Sequence, residues 1–168
     1  MLKENKIISV LTIENSSLAV DLAKCLFDSG IRNLEITLRT KEAKKATELI
    51  INTNLDFNIG IGTVLTKGDL SFAKNIGADF ALSPSTDIKL IKESFKIDFK
   101  FIPGVSSSTD INTSTILGCK ILKLFPTIQL GGLSYFKSIY SPFKSFDVKF
   151  IALGGINDKN AKDFVKNE

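Results

Sequence analysis

Apolar runs recur along the chain at a steady interval. They begin near Ile7, Leu34, Phe57, Phe80, Phe99, Ile121 and Phe150, about 20 to 30 residues apart, the spacing of repeated β/α units. Each run gives way to a turn of small or polar residues and then to a segment with helical periodicity. The stretch SSLAVDLAKCLFDSG places Leu18, Leu22 and Leu26 on one stripe with Ala19, Ala23 and Phe27 beside it, as in a helix packed on a sheet. Gly30, Gly77 and Gly118 lie where such helices need a left-handed C-cap before the next strand. Thr66 and Asp69 have the spacing of a capping box. Asp56-Phe57, Asp79-Phe80 and Asp98-Phe99 repeat one way into a strand.

Seven strands alternating with helices imply a parallel sheet, either open and doubly wound or closed as a (β/α)8 barrel. An open dinucleotide-binding sheet wants G-x-G-x-x-G after the first strand, and SVLTIENSS has no glycine there. The informative turns are spread instead over many strand ends: LRT, GIGTV, SPST, IPGVSS, FPT and LGGIN. That distribution suits a barrel, whose site is assembled from all the strand C-termini.

Two strands carry polar residues that a covered parallel sheet does not ordinarily tolerate. In NLEITLRT, Leu34, Ile36 and Leu38 share one face, and Glu35, Thr37 and Arg39 the other. Either this polar face is wet, as in a half-exposed strand, or it lines a functional site. In KILKLFP, Lys123 lies on the face of Ile121 and Phe125. An ammonium is expensive to desolvate, whereas a neutral amine is a nucleophile that forms a Schiff base with a ketone. A structural pair with Glu35, or snorkelling, accounts for Lys123 equally well. Gly154 and Gly155 close the last strand in ALGGIND, with Asn157 placed to cap the helix that follows. Such a turn can cradle a phosphate or serve as an ordinary strand-to-helix connection. Thr63 and Pro84 end the third and fourth strands and would share a rim with Glu35, Arg39 and Lys123.

Composition narrows the chemistry. The 168 residues, 43% hydrophobic and 24% charged, suffice for one globular domain. The formal charge of +4 is scattered, which reads as solvated surface rather than a nucleic-acid footprint, and no nucleic-acid partner is expected. With no histidine and no spaced Cys/His set, a metal site is not expected. Cys119 reads as an apolar filler. No apolar run reaches the length of a membrane span and no signal peptide opens the chain, so a soluble cytoplasmic protein without membrane contacts is expected.

Taken in order, GIRNLEITLRT, IGIGTVL, GADFALSPS, FIPGVSS, LKLFP and LGGIN resemble the class I 2-keto-3-deoxy-6-phosphogluconate (KDPG) and 4-hydroxy-2-oxoglutarate (KHG) aldolase family, from about Ile7 to the end of the chain. The resemblance implies an α/β fold, a (β/α)8 barrel of TIM type, commonly trimeric, that cleaves a 2-keto-3-deoxy sugar acid phosphate to pyruvate and an aldehyde with no metal or cofactor. Carried over by motif, Lys123 is the Schiff-base lysine and Glu35 the acid/base acting through water. Arg39 and Thr63 hold the substrate carboxylate, Pro84 and Phe125 line the pyruvyl pocket, and Gly154 and Gly155 help bind phosphate.

Three departures bear on what the resemblance implies. Ser85 stands where the family commonly has glycine. Leu153 stands where phosphogluconate-type members have threonine, and a galactonate-type branch has an aliphatic residue. The chain stops at Glu168, about where the eighth strand is expected, which implies a single barrel domain, residues 1–168, lacking its last strand and helix. The 2-keto-3-deoxy-6-phosphogalactonate branch of the family, a truncated non-catalytic barrel binding a phosphorylated metabolite, and another phosphate-binding barrel enzyme in which Lys123 is only a charge are the competing expectations.

Overall fold

The structure, a computed structural model, describes residues 6–166. They fall into two compact units, one running to Leu82 and the other beginning at Ser83.

In the first unit, β1 (Ser9–Leu11), β2 (Asn33–Thr37), β3 (Asn58–Gly62) and β4 (Phe80–Leu82) are parallel and adjacent in chain order. Between them run α1 (Ala19–Asp28), α2 (Ala43–Ile51) and α3 (Lys67–Asn75). Leu34, Ile36, Ile61, Leu70 and Phe80 are fully buried. The helix expected after the first strand is present, but its buried side differs from the leucine stripe. Ala19 and Ala23 are sealed, while Leu18 and Leu22 are exposed. The side of the helix that packs is the one with small side chains, and of the three leucines only Leu26 is half-buried.

The second unit holds α4 (Ile88–Lys96), β5 (Phe101–Ile102), β6 (Gly104–Val105), α5 (Ser108–Ile116), β7 (Ile121–Leu124), α6 (Gly132–Tyr140), β8 (Lys149–Ala152) and α7 (Ala161–Lys166). Strands β6, β7 and β8 are parallel and adjacent in that order. Among the described residues the seven runs read from the sequence thus appear as eight strand segments. Pro103 splits the fifth run into β5 and β6, since it has no N–H to give a ladder, though its carbonyl still accepts from Lys123 N–H at 2.9 Å.

Local signals behave as chain stereochemistry demands. Gly30, Gly77 and Gly118 take φ of +87°, +81° and +96°, the left-handed turn that releases each helix toward its strand. Asn54 and Asp98 do the same work after α2 and α4 at φ of +54° and +49°. The Asp-Phe repeat therefore has no single meaning: Asp98 turns the chain, whereas Asp79 accepts a hydrogen bond from Ile59 N–H at 2.7 Å. The Thr66–Asp69 capping box is formed. Asn157 does not cap a helix directly. Its side chain accepts from Lys159 N–H at 3.0 Å, closing a turn, and α7 begins only at Ala161.

Candidate active site

In the first unit the alternation of β2 continues across β3. Register pairs Asn33 with Asn58, Glu35 with Gly60 and Thr37 with Gly62, and paired residues in adjacent strands project the same way. One face of the two strands is therefore polar or empty of side chains. At the strands' N-terminal end Asn58 donates to Asn33 at 3.0 Å, and Asn33 to the Ile7 carbonyl at 3.1 Å. Thr37 donates to the Leu11 carbonyl at 3.1 Å and meets Thr12 at 3.0 Å. The sequence left open whether this face was wet. Every residue of β2 is buried, Glu35 to 1% exposure, so the wet reading fails.

Two glycines make that burial possible. A Cβ on Gly62 would fall 2.1 Å from Glu35 Oε1 and 2.7 Å from its Cδ, and one on Gly60 would fall 2.2 Å from the ring of Phe80. The carboxylate and the ring occupy the space of the missing side chains. Neither glycine was singled out from the sequence. The signal was there in Asn58-x-Gly60-x-Gly62, which keeps step with Asn33-x-Glu35-x-Thr37.

Beyond the strand ends, Arg39 donates from Nε to Thr63 Oγ1 at 3.1 Å, joining the two residues expected to hold a carboxylate. Thr63 takes φ of +59°, a left-handed conformation that costs a β-branched residue about 1–3 kcal/mol. Its hydroxyl accepts the bond from the exposed guanidinium of Arg39.

In the second unit Lys123 lies in β7 and is 3% exposed. Its Nζ stands 5.0 Å from the centroid of the Phe125 ring, within cation–π range. Its register partners are Gly104 and Ile151. A side chain at Gly104 is excluded, because its Cβ would fall 2.3 Å from the Pro84 carbonyl carbon and 2.7 Å from Ser83 O. The turn at Pro84 is thereby pressed against the strand next to Lys123. Lys123, the Phe125 ring and the Pro84 turn thus lie about Gly104 in this unit.

Gly154 and Gly155 follow β8 at φ of +99° and +77°. A Cβ on Gly154 would fall 2.9 Å from Pro126 Cα, and one on Gly155 2.8 Å from Ile128 Cβ. Thr127, fully buried, staples the two turns. Its Oγ1 donates to the Leu124 carbonyl at 2.7 Å and accepts from Leu153 N–H at 3.0 Å. Main-chain bonds from Thr127 to Leu153 and from Ile128 to Gly154 complete the seam. The segment bearing Lys123 and Phe125 is thus locked to the glycine pair. Thr127 belongs to the FPT turn, but a lone threonine after a proline carries no pattern that announces this staple.

Cys119 is buried ahead of β7, and burial pushes its thiol up to about 11, so it is an uncharged filler. Among the described residues no group of three or more His, Cys, Asp or Glu could hold a metal ion, and no helix is long and apolar enough to cross a membrane.

A family model for aldolases, described as KDPG and KHG aldolase, matches residues 1–168. The 2-dehydro-3-deoxy-phosphogluconate aldolase of Treponema pallidum is 33% identical over 164 residues, covering 98% of this chain and 77% of that protein. The KHG/KDPG aldolase of Escherichia coli is 32% identical over 165 residues, with 98% and 76% covered. Among solved structures, the KDPG aldolase of Legionella pneumophila superposes with a TM-score of 0.88 at 40% identity, over 94% of this chain and 76% of that one. That structure holds pyruvate captured as a covalent carbinolamine. The fold class read from the sequence, α/β of the (β/α)8 barrel type, is the fold of these neighbours.

Proposed function

The chain belongs to the KDPG and KHG aldolase family, and on that premise we propose that Lys123 is its Schiff-base nucleophile and Glu35 its proton shuttle. The activity is carbon–carbon bond cleavage: 2-keto-3-deoxy-6-phosphogluconate, and 4-hydroxy-2-oxoglutarate beside it, yield pyruvate plus glyceraldehyde 3-phosphate or glyoxylate. The observation that carries the assignment is an amine with 3% exposure at the end of a strand, in a family where a relative holds pyruvate as a carbinolamine.

The amine of Lys123 adds to the C2 ketone, and loss of water leaves an iminium. Glu35, acting through water, takes the proton of the C4 hydroxyl as the C3–C4 bond breaks. The bonding pair flows through C3–C2 to the iminium nitrogen, giving an enamine, and the aldehyde departs. Return of a proton to C3 restores the iminium, and water releases pyruvate and free Lys123. Arg39 and Thr63 hold the C1 carboxylate, for which a guanidinium fork is well shaped. Pro84 and Phe125 bound the pyruvyl group. Gly154 and Gly155 give main-chain N–H groups to the phosphate.

We place all these residues, 1–168, in one aldolase domain, acting in the cytoplasm as a homotrimer. Light scattering of the purified protein tests the trimer. Coupled detection of pyruvate tests the reaction: KDPG gives pyruvate with the unaltered chain and none with Lys123→Met. Turnover by Lys123→Met at the unaltered rate would overturn the assignment.

A further inference from the structure

Arg39 stands in the five-residue connection from Leu38 to Glu42, exposed, and a long side chain on a connection is costly to hold in one place. That connection is nevertheless tied at every second residue or closer. Leu38 N–H donates to the Gly62 carbonyl at 2.9 Å, and Arg39 Nε to Thr63 at 3.1 Å. Thr40 Oγ1 donates to the Ile13 carbonyl at 2.6 Å. The Ser16 hydroxyl donates to Glu42 Oε2.

Glu42 immediately precedes α2 but makes no side-chain cap to its own helix. Its carboxylate reaches across to the turn after β1, where Ser16 is 4% exposed. A carboxylate at that position would ordinarily favour the helix N-terminus. Its partner here is instead a buried hydroxyl 26 residues earlier.

We propose that Glu42, clamped by Ser16 and assisted by Thr40, is a positioning residue that fixes the Arg39 connection for binding the carboxylate of a 2-keto acid. This rests on the carboxylate role proposed above for Arg39. The Ser16 hydroxyl holds the Glu42 carboxyl below the usual carboxylate range, so the charge-assisted form of the bond persists through neutral pH. Glu42 touches no reacting atom. It acts by limiting where the guanidinium can be, which is a binding effect and leaves the chemical step alone.

The test compares steady-state cleavage by the full chain with Glu42→Ala, Glu42→Gln, Ser16→Ala and Arg39→Ala, each checked for folding by circular dichroism. Glu42→Ala and Ser16→Ala each raise KM for the keto acid about ten-fold with kcat within about two-fold, as expected for one charge-assisted hydrogen bond. Glu42→Gln, whose amide oxygen still accepts from Ser16, recovers most of the loss. In an Arg39→Ala background, Glu42→Ala adds nothing. A raised KM in Arg39→Ala with an unchanged KM in both folded Glu42→Ala and Ser16→Ala overturns the clamp alone. An unchanged KM in Arg39→Ala overturns the carboxylate role of Arg39, and the clamp with it.

Discussion

A carboxylate buried as deeply as Glu35 needs a hole shaped for it, and that hole is the absent side chain of Gly62. Gly62→Ala pushes a methyl group into Glu35 Oε1 and Cδ, and the far end of the glutamate can swing away. The folded variant is expected, with kcat falling toward that of Glu35→Gln, which loses on the order of 10²–10⁴-fold as a general acid/base. Full kcat in Gly62→Ala would show that the carboxylate has no fixed place in the reaction. Lys123 and Glu35 were legible as candidates because a charge in an apolar run and a strict two-residue alternation are each visible within a single strand. Gly62, Gly104 and Thr127 were not, because each matters through a residue on another element. The two thiols give an independent check on burial. Cys25 is exposed and Cys119 buried, its thiol pushed up to about 11. Iodoacetamide at pH 8 should label Cys25 promptly and Cys119 only on unfolding. With the folded value raised, Cys119 favours the native state below the unfolded thiol range, and that contribution fades as pH climbs toward about 11. Equal labelling of both thiols in native protein would contradict the packing around β7.

Among the elements, helix starts are held by side chains the sequence announces. Thr66 and Asp69 form one capping box, and Ser107 and Asp110 form a second. In the second, Asp110 Oδ2 accepts from the N–H and hydroxyl groups of both Ser106 and Ser107. Ser107→Ala is expected to cost about 1 kcal/mol. The neighbouring exposed Thr109→Ala should fall within about 0.5 kcal/mol of the unaltered chain. Equilibrium urea unfolding decides between them, and equal midpoints would deny the box its role. The two boxes share one spacing, yet only the first was read in advance, since three serines in a row hide which of them is the cap. Strand positions followed from apolar runs, but the interruption at Pro103 did not. Periodicity reports side chains, while a ladder needs N–H groups. The same limit explains α1, where the leucine stripe drew attention and the small residues Ala19 and Ala23 took the buried side.

At the scale of the whole molecule, the residues proposed for catalysis and substrate binding are distributed along almost the entire chain, with Glu35, Arg39 and Thr63 in the first unit and Pro84, Lys123, Phe125, Gly154 and Gly155 in the second. No single motif identifies such a protein, and the ordered set of turns at strand ends carried the family resemblance that the match over residues 1–168 bears out. The chain spans about three quarters of the length of the relatives it matches, 77% of the Treponema protein and 76% of the Escherichia coli protein. What local chemistry left open was Lys123, balanced between nucleophile and structural charge. Borohydride reduction in the presence of pyruvate, followed by peptide mapping, settles that point most directly. A stable adduct on Lys123, formed only with both reagents and absent from Lys123→Met, is the expected result. A folded protein that yields no adduct, or one mapped to another lysine, would contradict the account.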